Sequence, residues 1–69
     1  MKPQKSRDVK KHLRAAGWVY IRDAKGSHEV WGTSDGSVTL PVPFGHKEIT
    51  PGVLAQLEAK GVAMPEGWK

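Results

Sequence analysis

Two turns too short to hold a crossover decide most of what this chain can fold into. Lys25-Gly26-Ser27 and Ser34-Asp35-Gly36 separate three runs of strand-forming residues: Trp18–Arg22, His28–Trp31 extending towards Thr33, and Ser37–Val42. Parallel neighbours need a connection of a dozen residues or more, so these runs form an antiparallel meander. Asp35-Gly36 supplies the positive φ angles of a hairpin turn, and Pro41 and Pro43 end the third strand or place it at an edge. Alternation puts Trp18, Tyr20 and Arg22 on one face of the first strand and Val19 and Ile21 on the other.

A helix is predicted on either side of the meander. Ser6 reads as an N-cap, with Asp8 in the first turn where a carboxylate suits the helix dipole. Val9, Leu13 and Ala16 then recur at helical spacing, and Gly17 closes a helix over 7–16. Thr50-Pro51 opens the second helix with a capping hydroxyl and a proline at the first helical position. Val53, Leu54 and Leu57 face inward there, and Gly61 closes it. Met1–Lys5 reads as a basic lead without fixed structure, Phe44–Ile49 as a loop, and Trp68 as an indole folded back onto apolar surface.

Two helices with apolar stripes bury them together by covering one face of the sheet. The expected fold is therefore α+β: a two-layer α-β-β-β-α unit, its three-stranded antiparallel sheet carrying both helices on one face, in one domain over residues 1–69. The other sheet face carries Val19 and Ile21, with Trp31 a further candidate. Exposed apolar residues of that kind suit a protein partner.

The chain has 69 residues and no cysteine, which removes disulfides and thiolate metal sites. Its three histidines share no ligand spacing, so no metal and no cofactor is expected. No run reaches the length of a membrane span or a signal peptide, and a cytoplasmic domain away from the membrane is the expectation. No glycine-rich phosphate loop, nucleophile elbow or paired-carboxylate arrangement is present. The charge is unevenly spread: residues 1–25 carry a net +6 and residues 26–69 a net −2. Such a basic third suits a polyanion, and equally a solvated lysine-rich helix face.

His28 is the candidate catalytic residue, held by the supporting turn Lys25, Gly26 and Ser27. Gly26 tolerates a positive φ and close approach of a ligand, and Ser27 leaves space beside the ring. In RNA cleavage by internal attack, the 2′-hydroxyl loses a proton and the leaving 5′-oxygen gains one. One imidazole can serve either step, and Lys25 can steady the charge on the phosphate. The plainer reading is a strand histidine satisfied by a neighbouring carbonyl. Glu29 does not orient His28, because adjacent strand residues point to opposite faces. His46 is a candidate second proton carrier or phosphate contact, if its loop folds over the Gly26 turn; otherwise it is an exposed loop histidine. His12 reads as packing. Lys10, Arg14, Arg22, Lys25 and Lys47 are the candidate RNA contacts.

The order of Gly17-Trp18, Lys25-Gly26-Ser27-His28, the Asp-Gly hairpin, the Val-Pro strand end and Lys47-Glu48-Ile49-Thr50-Pro51-Gly52-Val53-Leu54 resembles the HicA family of bacterial toxins over nearly the whole chain. The resemblance implies a fold like a double-stranded-RNA-binding domain, ribonuclease activity on messenger RNA, and a HicB-type antitoxin that neutralises the toxin by binding it. It also implies that His28, in the Gly-Ser-His turn, is catalytic. The rival classes are a non-catalytic RNA-binding domain and an antitoxin-binding domain of the same fold. Against the first, Pro51-Gly52-Val53-Leu54 lacks the lysine cluster with which double-stranded-RNA-binding domains start their second helix.

Overall fold

The computed structural model describes Met1–Lys69. Val9 and Leu13, four positions apart and fully buried, set the face with which helix α1 (Ser6–Ala15) meets the sheet. That sheet comprises β2 (Trp18–Asp23), β3 (Glu29–Thr33) and β4 (Thr39–Val42), antiparallel in chain order, so β2 and β4 are its edges. Helix α2 (Pro51–Ala59) opens on Thr50, whose side chain accepts a hydrogen bond from the Val53 amide, and adds Leu54 and Leu57 to the same core. The α+β architecture, with two helices on one three-stranded antiparallel sheet, is the one expected. No helix is long and apolar enough to cross a membrane.

The core is aromatic at its centre. Trp31, 2% exposed, meets Phe44 edge to face at 5.4 Å and Tyr20 at 6.4 Å between ring centroids. Its indole Nε1–H donates to Glu29 at 2.9 Å, which removes the cost of burying that polar group. Trp31 therefore belongs to the helix-covered face, and its assignment to the outer face is corrected. Phe44, expected in a loop, is in a loop but buried within this cluster.

A bulge corrects the alternation along β2. Tyr20 lies opposite Trp31, yet Arg22, two residues on, lies opposite Val30, the very next partner. Ile21 is thus an inserted residue, and Arg22 passes to the face opposite Tyr20, beside Val30 and away from the helices. Val19, Tyr20 and Ile21 remain exposed.

Two further expectations fail at the N-terminus. Residues 4–5 are not a structureless lead: β1 (Gln4–Lys5) pairs antiparallel with β5 (Glu48–Ile49), and the Lys2 amide donates to the Trp68 carbonyl at 2.7 Å. Ser6 is not the N-cap either. Lys5 holds that position without a side-chain bond, and the Ser6 hydroxyl instead donates to the His46 carbonyl. At the other end Trp68 does fold back: its ring packs edge-on to His12 at 5.0 Å, and His12 Nε2 lies 2.6 Å from the Ala63 carbonyl oxygen. His12 is a packing residue.

The β3–β4 connection is longer than a two-residue hairpin. Thr33 and Val38 close it, and the Asp35 carboxylate inside accepts from the Ser37 amide, the Thr33 hydroxyl and the Ser37 hydroxyl. These bonds, the Ser37 amide first, lower its pKa from 3.8 to about 2. A carboxyl lowered on folding stabilises the fold above its unfolded pKa, and that stabilisation is lost as pH falls through the folded value. We expect the wild type to lose stability between pH 3.8 and about 2 more steeply than Asp35→Asn, in urea denaturation followed by tryptophan fluorescence. Parallel curves would refute this.

Candidate active site

His28 sits at the foot of β3, immediately before its first residue, and is exposed. The turn leading to it is closed by the Ala24 amide donating to the His28 carbonyl at 2.9 Å. Gly26 takes φ +71°, and a Cβ built there would meet nothing within 4 Å. Its requirement is conformational, and the space above it is open to solvent or ligand. The His28 side chain makes no hydrogen bond or ion pair within the protein, so both ring nitrogens are open to a ligand. The reading of a histidine satisfied by a neighbouring carbonyl therefore does not hold. Glu29 is turned to the helix side, where it bonds Trp31 and stands 3.7 Å from Lys10 Nζ.

A second segment buttresses the turn. The Gly45 amide donates to the Ser27 carbonyl at 2.8 Å. A Cβ on Gly45 would lie 2.5 Å from Ser27 Cβ and 2.9 Å from Ser27 Cα, so only glycine allows this approach. The loop carrying His46 thus does fold against the Gly26 turn. Phe44, anchored on Trp31, holds that loop from one side. The Ser6 hydroxyl on the His46 carbonyl and the Ser6 amide on the Lys47 carbonyl, at 2.8 Å, hold it from the other. The importance of Gly45 and Ser6 was not readable in the sequence, since both act on residues far along the chain.

The candidate cations divide into two groups. Lys25 and Lys47 are exposed and carry no ion pair, Lys25 on the turn itself. Lys10 is committed internally, paired with Glu29 and lying over the Phe44 ring at 5.1 Å. Arg14 lies over the Trp31 ring at 5.3 Å, a contact worth about 0.5–1 kcal/mol at an exposed site. Arg22, displaced by the bulge, stands on the outer sheet face with its guanidinium 3.4 Å from the Asp23 carbonyl. Two cations absent from the sequence-derived set, Lys5 and Arg7, border His46 and Lys47 in an open depression.

Fold and surface together define a small α+β domain with a basic, imidazole-bearing end. A family model described as "HicA toxin of bacterial toxin-antitoxin" matches residues 6–61. The chain belongs to the HicA toxin family, the toxin component of toxin–antitoxin systems. No curated protein and no solved structure matches it.

The Gly45–Ser27 contact is open to a direct check. Gly45→Ala should cost about 1–3 kcal/mol in denaturant unfolding, the usual range for forcing an extra carbon into a close contact. The amide resonances of Ser27 and His28 should shift with it. Unchanged stability and unchanged shifts would mean that the loop does not brace the turn.

Proposed function

We propose that this chain is the toxin of a type II toxin–antitoxin pair and a metal-independent endoribonuclease that cleaves messenger RNA in the cytoplasm. A HicB-type antitoxin neutralises it by binding, and residues 1–69 act as one toxin domain. The observation that carries the reading is His28: an exposed imidazole, free of internal partners, on a glycine turn with the unpaired Lys25 three residues before it. Membership of the HicA toxin family adds to it.

In this mechanism the ribose 2′-hydroxyl loses its proton as its oxygen attacks the adjacent phosphorus. The bond to the 5′-oxygen breaks, and that oxygen leaves with a proton. His28 carries one of these protons, since an imidazole exchanges protons near neutral pH. The other passes to or from His46, whose loop is braced on the same turn, or water. Lys25 stabilises the negative charge that grows on the phosphoryl oxygens. Lys47 holds neighbouring phosphates. Arg22 contacts RNA only if the strand reaches the outer sheet face. Lys10 and Arg14 contact it only by leaving Glu29 and Trp31 respectively.

A second reading, an antitoxin-binding domain that has lost cleavage, is favoured by the exposed Val19, Tyr20 and Ile21 along edge strand β2. These side chains also suit the antitoxin interface of an active toxin.

Cleavage of purified RNA separates the two. His28→Ala should lower the rate by about 10²–10⁴-fold, the scale of general acid–base help, while leaving the thermal unfolding curve unchanged. Equal rates in wild type and variant would remove His28 from the mechanism. Absence of cleavage in both would favour the interaction domain. Wild-type cleavage should also persist in excess chelator, and strict dependence on an added divalent ion would contradict the metal-independent route.

A further inference from the structure

Beside the His28 turn, and separate from it, lies an open groove of about 1060 Å³ between the start of α1 and the β4–β5 loop. Lys5, Arg7, Pro43, His46, Lys47 and Glu48 border it. His28 does not. We propose that this groove is a second subsite that holds the backbone of single-stranded RNA next to the cleaved phosphate, a proposal that rests on the reading of messenger RNA as substrate.

Charge points to a polyanion. Three cations and an imidazole face one acid, Glu48, across the groove. Lys5 and Lys47 have no ion pair, and the only partner of Arg7 is Asp8, at a loose 3.9 Å with the Arg7 side chain 82% exposed. A pair that exposed contributes little and leaves the guanidinium available to phosphate.

Shape and rigidity point to a single strand. The groove is concave, the form in which a flexible single strand can lay its backbone along a row of cations. A duplex would instead need cations at the start of α2, where Pro51, Gly52 and Val53 carry none. The segments that border it are joined by backbone pairing, with Lys5 opposite Glu48 and the Ser6 amide on the Lys47 carbonyl. The backbone that carries the cations is therefore fixed before RNA arrives, and only the side chains remain to be ordered on binding.

Continuity ties the groove to the catalytic turn. Pro43 and His46 border it, and Gly45 between them donates to Ser27. One four-residue segment, Pro43–His46, borders both sites, so a strand lying in the groove passes directly to His28.

The test uses the full chain and a short single-stranded RNA with every ribose 2′-O-methylated, which binds without being cut. Arg7→Gln/Lys47→Gln is compared with Lys11→Gln/Lys60→Gln, a pair of equal charge change outside the groove. Removing two phosphate contacts should reduce the slope of log affinity against log salt by about 1.4, while the control pair leaves it at the wild-type value. That result supports the groove whether or not the wild type cuts unmodified RNA. Equal slopes in all three proteins would overturn the groove and leave the His28 mechanism standing if wild-type cleavage persists. Failure of the wild type to bind the RNA at all would overturn it too. So would a groove pair that binds RNA normally but no longer captures the antitoxin, since the groove would then be a protein contact.

Discussion

The burial of one indole holds this structure together. Trp31 lies on the helix side of the central strand, covered by Arg14 and bonded through its N–H to Glu29. Its edge receives Phe44, and Phe44 anchors the loop that follows β4. That loop sends the Gly45 amide to Ser27, and Ser27 precedes His28. A packed core is far less compliant than a loop, so this sequence of contacts passes the rigidity of the core to a turn with no secondary structure of its own. The catalytic candidate is exposed, yet the peptide that carries it is braced from beneath.

Much of this is legible in the sequence alone. Short turns dictated the antiparallel meander, Thr50-Pro51 marked the start of α2, and the spacing of Val9 and Leu13 identified the buried face of α1. The features that the sequence hid are set by partners elsewhere in the chain. Alternation is a rule for unbroken strands, and the inserted Ile21 invalidates it for Arg22. Trp31 was ambiguous because its strand is central: Val30 and Trp31 are consecutive, point to opposite faces, and are both buried. The β1–β5 pair has two residues a side, too few for any periodicity. Ser6 had the right chemistry for a cap but found a better acceptor forty residues away.

At the candidate site the residue types were readable and their neighbours were not. His28 and Lys25 lie close together in sequence, so a local motif could reveal them. That His46 belongs to the same end of the molecule depends on a glycine whose neighbour in space is eighteen positions earlier. The basic N-terminal third likewise hid a division of labour. Lys10 and Arg14 cover aromatic rings of the core, whereas Lys5 and Arg7 border an open groove. Equal charges in one short stretch thus serve two ends, and only tertiary contacts tell them apart.

The inserted residue in β2 has a consequence for self-association. An outer strand with three exposed apolar side chains is a natural template on which another copy could lay its own strand and begin a growing ribbon. The break at Ile21 cuts that template into two short pieces with mismatched faces. A member of a toxin–antitoxin family can thus carry an exposed apolar flank and still resist polymerising with itself.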